Sequence, residues 1–194
     1  MKDYPEFAEI KGKIYKINTD FRIAIECEQI AKSKKIGDME RTMAIIYKLF
    51  GEEGLNDFEN YGDLIKIAIT FLTCGKGKEK NDEKPDMSFA KDKDFIEASF
   101  MSDYHIDLSK ETMHWWKFIK LLNGLSNSEL GNCCVLNNIR NMRRRDPSKI
   151  KDPKERQKLI EAQEKFSIED ENEDIQLSKE QEESIKNLNK ILGL

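Results

Sequence analysis

Apolar residues recur at three- and four-residue intervals in one segment of this chain after another, and that spacing predicts helices almost throughout. The clearest case is 57–74, where Leu64, Ile65, Ala68, Ile69, Phe71 and Leu72 make one broad face. Similar stripes run through 20–33 (Phe21, Ala24, Ile25, then Cys27 or Glu28) and 38–50 (Met39, Met43, Ile46 and Phe50, widened by Ile45 and Leu49). Residues 88–104 turn Phe89, Phe95, Ile96, Ser99 and Phe100 inward. The most apolar helix, 109–124, puts Trp115, Phe118, Ile119 and Leu122 on one stripe with Trp116 at its edge. A further helix is expected over 127–142.

The breaks between these stripes carry helix-end chemistry. Thr19 or Asp20 can cap the first helix, Gly37-Asp38 restarts the chain, Gly51 and Gly54 end the second helix, and Gly75 suits a C-cap. Gly124 closes the tryptophan helix, and Ser126 with Glu129 has capping-box spacing. Only Lys13–Asn18 reads as a strand, with Ile14 and Ile17 flanking Tyr15. Residues 75–87 are too charged to be buried and form a loop.

The expected fold is therefore mainly α: a compact core domain of about six helices over 1–146, with at most one short N-terminal strand. Residues 147–194 form a charged C-terminal extension. Asp152-Pro153 starts a polar helix over 153–165 with Leu159, Ile160 and Phe166 as its apolar handles. An acidic, irregular stretch follows over 167–177. Ser178 and Gln181 then begin an amphipathic piece striped by Ile185, Leu188, Ile191 and Leu192.

Composition narrows the function. The 194 residues are 38% hydrophobic and 36% charged, against a usual charged share of about a quarter, which implies long solvated helix faces. The net charge of −4 argues against a general nucleic-acid or membrane binder. No apolar run approaches the ~20 residues of a bilayer span, and the opening residues lack a secretory signal's apolar stretch. Cys27, Cys74, Cys133 and Cys134 show no C-x-x-C spacing and read as buried thiols in a reducing cytoplasm.

Reactive chemistry finds no foothold. His105 and His114 have no ligand-spaced partners and read as packing residues. No G-x-S-x-G occurs, and Gly75-Lys76-Gly77-Lys78 lacks phosphate-loop spacing. No catalytic, cofactor-binding or metal-binding residue is expected, and the chain reads as a protein-binding protein rather than an enzyme. Its candidate partner-binding residues are Trp115, Trp116, Phe118 and Leu122, for which a core role is the competing reading. A second candidate, for an anionic partner, is the basic cluster Arg140, Arg143, Arg144 and Arg145, continued by Lys149, Lys151, Lys154, Arg156 and Lys158. There the competing reading is a solvated face neutralised within the chain by acidic residues between Glu169 and Glu183.

From Phe95 to Leu125 the sequence reads FIEASFMSDYHIDLSKETMHWWKFIKLLNGL. Its Ile106-Asp107-Leu108 turn, its His114-Trp115-Trp116-Lys117-Phe118 run and its Leu121-Leu122-x-Gly124-Leu125 ending resemble the central signature of the bacteriophage gene-product-fifteen family. Asn18, Asp20, Phe21, Arg22, Phe71-Leu72, Cys74-Gly75-Lys76 and Ile139-Arg140 extend the likeness over about residues 14–160. Phe95 stands where that family commonly has Tyr, and the residues after about 165 have no counterpart. The resemblance implies a gene beside the tape-measure gene of a long-tailed phage or prophage. It further implies a tail-assembly role, as a chaperone of the tape-measure protein in the host cytoplasm. The alternatives are a structural component of the tail or baseplate and, more weakly, a nucleic-acid-binding factor. Self-association stays open.

Overall fold

A computed structural model describes residues 4–77, 85–127 and 133–168. Among these the chain is mainly α, as the apolar spacing predicts, with one antiparallel hairpin of β1 (Phe7–Ile10) and β2 (Lys13–Lys16). The helices are α1 (Phe21–Lys32), α2 (Asp38–Leu55), α3 (Tyr61–Leu72), α4 (Lys93–Tyr104), α5 (Trp115–Asn123), α6 (Val135–Arg144) and α7 (Pro153–Lys165). The described residues divide into two compact units: 4–77 with Met113–Ile119, and 85–112 with 120–127 and 133–168.

In the first unit, the expected strand over 13–18 is β2, and it has a partner that the sequence reading missed. β1 pairs with it from Phe7↔Lys16 to Ile10↔Lys13. The missed signal is Lys11-Gly12, a two-residue loop with φ of +51° and +83°, the positive pair that suits the twist of a hairpin. Alternation turns Ala8, Ile10 and Tyr15 inward and leaves Phe7 and Ile14 outside.

Asp20 is the cap of α1, its carboxylate accepting the Arg22 N–H. The buried residues of α1 are Phe21, Ala24, Cys27 and Ile30. α2 breaks at Gly51, where the sequence places a helix end, and continues beyond it as a second helical stretch. That residue takes φ +66° and ψ −160°, a conformation open essentially to glycine alone, and the helix resumes to bury Leu55. Met39, which spacing placed on the inner stripe, is exposed in the first turn.

α3 follows a 3-10 turn at Phe58–Asn60 and buries Leu64, Ala68 and Phe71. Its end is a Schellman motif in which Gly75 N–H reaches Thr70 O (2.8 Å) and Cys74 N–H reaches Phe71 O (3.1 Å). Cys74, at φ +53°, takes the left-handed place expected for glycine, and Gly75 comes one residue later. α5 starts at Trp115, six residues after the expected 109, because its approach is committed elsewhere. Phe21 N–H donates to Met113 O (3.0 Å) and Trp115 N–H to Thr19 O (2.7 Å) around an Asp20–His114 bridge. Backbone groups spent on that bridge are not available to a helix.

In the second unit α4 also starts late. Ser88 Oγ accepts the Lys91 N–H while the Asp92 carboxylate accepts the Ser88 N–H, so 88–92 is a self-capped turn before the helix. Ile96, Ser99 and Phe100 are buried as predicted, whereas Phe89 and Phe95 are half-buried. The helix expected from 127 is α6, beginning at Val135. An Asn127–Cys133 bridge and the Cys134 N–H to Ser126 O bond (3.0 Å) occupy the intended first turn. Glu129 of the expected capping box lies outside the described residues, as do the middle of the 75–87 loop and everything after Ile168, including the acidic stretch and the terminal amphipathic piece. α7 begins where Asp152-Pro153 predicts, with the Asp152 carboxylate accepting from Lys154 and Glu155 N–H. Leu159 is buried, and Gln163 Nε2 donates to the carbonyls of Met142, Arg143 and Arg145 at the end of α6.

Candidate functional site

The tryptophan helix supplies core before it supplies surface. Trp115 and Phe118 are buried at 4% and 1% exposure, and Trp116 is half-buried. Phe118 stacks on Phe21 (centroids 4.6 Å, planes 11° apart) and on Trp115 (5.7 Å, 17°). Both indole N–H groups are used: Trp115 Nε1 donates to Leu72 O (3.0 Å) and Trp116 Nε1 to Phe71 O (2.8 Å). These carbonyls belong to the last turn of α3, where helix geometry leaves them without a partner of their own. Adjacent tryptophans thus cap a neighbouring helix, a role that sequence spacing alone does not reveal. Leu122, the fourth candidate, belongs to the second unit and is buried there.

His114 has a structural part as well. Its Nδ1 accepts the Trp116 N–H (3.0 Å), which places the ring proton on Nε2, facing Pro5 O at 3.0 Å. Tyr4 stacks on the same ring at 4.9 Å. His105 ends α4 with φ +56° and is exposed. Among the described residues no three His, Cys, Asp or Glu side chains stand together as a metal-holding group.

The arginine cluster is largely paired within the second unit. Arg143 makes a two-pronged bond to Asp92 (2.6 and 2.8 Å) and also donates to Phe166 O (2.8 Å) and Asp86 O (3.0 Å). Asp92 is 1% exposed. Arg140 Nε (3.2 Å) and Arg144 both pair with the carboxylate of Asp86, while Arg145 is exposed. Among the described residues the neutralising acids are therefore Asp86 and Asp92, ahead of α4, while the acidic stretch singled out from sequence lies outside them. Their signal was faint, since Asp92 sits between two lysines and Asp86 follows Pro85 in a stretch of mixed charge. A phosphate would have to displace carboxylates already in place.

The first unit does offer an apolar seat. A groove of about 420 Å³ is lined by Ala24 and Ala31 of α1, Ile45 of α2, Ile65, Ile69 and Leu72 of α3, and Trp115. Ile69 is 38% exposed, and Ile45, Ile65 and Leu72 are half-buried. The hydroxyl and indole donors along the walls are spent on nearby backbone: Thr42 Oγ1 donates to Asp38 O, Thr73 Oγ1 to Ile69 O, and Trp115 Nε1 to Leu72 O. Glu28 is the charged lining residue and pairs with Lys32 at 3.7 Å. Such a groove presents methyl groups and asks for an apolar guest. Of the four aromatic and aliphatic residues chosen from sequence, Trp115 alone lines it. The aliphatic walls were legible only as a helix face.

The family model described as bacteriophage Gp15 protein matches residues 1–168. This chain belongs to the bacteriophage Gp15 family. The match takes in the groove, the tryptophan helix and the arginine cluster, and it ends where the described residues end. No curated protein and no solved structure matches the chain. Among the described residues of this Gp15-family protein, no helix is long and apolar enough to cross a membrane.

Two perturbed groups in this phage protein are structural. Burial pushes the Cys27 thiol up to about 12, so it stays protonated and unreactive at neutral pH. Cys134 is buried too, whereas Cys74 and Cys133 are partly exposed, which corrects the expectation of four buried thiols. Asp57 accepts from Tyr15 OH (2.6 Å), Lys13 Nζ (2.9 Å) and Asn60 Nδ2 (3.1 Å), and these bonds, Tyr15's foremost, hold its carboxyl at about 2. The carboxylate pins the hairpin to the chain that leads into α3. Because its folded value is depressed from 3.8, the stabilisation is complete above about pH 4 and is lost as pH falls toward 2. Thermal midpoints measured from pH 5 down to 2 should fall less steeply in Asp57→Asn than in the parent chain. Parallel curves would remove Asp57 from the account.

Proposed function

We propose that this chain is a tail-assembly factor that works by binding, a chaperone that holds helical segments of the tape-measure protein in the host cytoplasm until the tail is built. Membership of a phage protein family supports the viral setting, and the groove between α1, α2 and α3 is the observation that carries the binding role. A tape-measure chain is long and helical, with apolar seams that must be covered before assembly. A guest helix lays such a seam into a groove through residues spaced three and four apart. The hydroxyl and indole donors along the walls are already bonded, so a guest helix covers them without stranding a donor.

The test is co-expression. The tape-measure protein should become more soluble and co-purify with the chain. Ile69→Lys sets a charge on an exposed wall position and should cut co-purification about tenfold while leaving the thermal midpoint nearly unchanged. Separate migration of the two parent proteins at micromolar concentration defeats the reading. Mass spectrometry of purified particles separates the chief alternative, since a chaperone is absent from them and a structural tail protein is present at fixed stoichiometry. The pairing of Arg140, Arg143 and Arg144 with Asp86 and Asp92 weighs against a nucleic-acid-binding factor.

A further inference from the structure

We infer that the outer face of the β1–β2 hairpin is a contact between two copies of this chain. Alternation sends Phe7, Glu9, Ile14 and Lys16 to that face, and all four are exposed, Phe7 at 58% and Ile14 at 62%. A lone exposed apolar side chain needs no explanation. Two large ones on a face of four side chains make a patch that the described residues leave uncovered. The hairpin beneath it is held firmly. Tyr15 OH and Lys13 Nζ donate to the Asp57 carboxylate (2.6 and 2.9 Å), and Ala8, Ile10 and Tyr15 are buried. A partner therefore meets a surface that is already ordered, which lowers the cost of association.

The order of the four residues selects a second copy as the partner. Phe7 stands opposite Lys16 and Glu9 opposite Ile14. The apolar pair thus occupies one diagonal of a rectangle about 5 Å by 7 Å, and the charged pair occupies the other. A second hairpin turned over about the apolar diagonal sets Phe7 on Phe7 and Ile14 on Ile14. The same turn brings Glu9 of each copy to Lys16 of the other. Turning about the charged diagonal instead puts Glu9 on Glu9 and Lys16 on Lys16, and turning along or across the strands sets apolar groups on charges. One two-fold arrangement satisfies every position, as a self-complementary contact requires. It crosses the strands of the two copies near a right angle, one of the two ways in which sheets pack face to face. Both charges are available, since among the described residues neither Glu9 nor Lys16 belongs to an ion pair. Four side chains from each copy fall short of the roughly 800 Å² per partner in a stable complex, so the pair is weak and transient. This contact does not depend on how the groove is read.

Sedimentation velocity of the full chain from micromolar to millimolar concentration tests this. The parent should pass from monomer to dimer across that range. Glu9→Lys and Lys16→Glu each place like charges in both cross-copy contacts, and each should raise the dissociation constant of its own dimer at least about tenfold. Mixed together, the two variants present opposite charges to one another at both contacts, so the mixture should associate about as tightly as the parent. Phe7→Ser should abolish pairing outright. All three positions are exposed, so thermal midpoints should stay close to that of the parent. A parent that remains monomeric at millimolar concentration overturns the inference. So does undiminished self-association in either charge variant, or a mixture no more associated than its components. A parent dimer that Ile69→Lys abolishes and Glu9→Lys spares would place the contact at the groove, and overturns it equally.

Discussion

Arg143→Ala should destabilise the second unit by about 3–5 kcal/mol in urea unfolding of the full chain. The guanidinium is 9% exposed and its partner Asp92 is 1% exposed, so removing the cation leaves a carboxylate out of water with only the Ser88 N–H to answer it. Further bonds disappear with it, because Arg143 also holds Phe166 O and Asp86 O. A pair replaced at both ends behaves differently: Asp92→Leu with Arg143→Met leaves no stranded charge and should lose less than either single change. Circular dichroism against urea reads both effects. A loss below about 1 kcal/mol for Arg143→Ala would place the pair in effective contact with water and return the arginines to the pool available for a partner.

A comparable loss, about 3–5 kcal/mol, is expected in the first unit for Phe118→Ala. That ring is 1% exposed and lies against both Phe21 and Trp115, so truncation opens a cavity between stacked aromatics that cannot easily collapse. The neighbouring Trp116→Phe keeps most of the ring and removes the donor to Phe71 O, a change worth about 1 kcal/mol. Denaturation followed by tryptophan fluorescence distinguishes the two. Equal and small losses would mean that Phe118 is held mainly for a partner and not for packing.

Helix-forming faces were legible in the amino-acid sequence because burial and period coincide: Leu64, Ala68 and Phe71 are both spaced and buried. So was α7, whose Asp152-Pro153 start depends only on local chemistry. What escaped is set by partners distant in sequence. The late start of α5 depends on Thr19 and Phe21, nearly a hundred residues upstream, and no local propensity encodes that. β1 was missed because its turn residue at a positive φ is Lys11, an unusual choice beside Gly12. The candidate site divided in the same way. Of the tryptophans chosen for their size, Trp115 is buried and Trp116 half-buried, both tied to α3 carbonyls, while the groove beside Trp115 is walled by alanines and isoleucines that no motif marks. For the arginines, the charge is plain in the sequence but the aspartates that claim it are not.

If the groove seats a client helix as proposed, its walls, with their donors already turned to nearby carbonyls, would select chiefly by contour. Discrimination of that kind is shallow, about 1–3 kcal/mol for a methylene gained or lost, so many different apolar seams would be accepted almost equally. For the long tape-measure guest proposed above, this would be an advantage. Copies of one small protein would then settle at many stations along its length and leave each of them again with the hydroxyl and indole bonds of the groove intact.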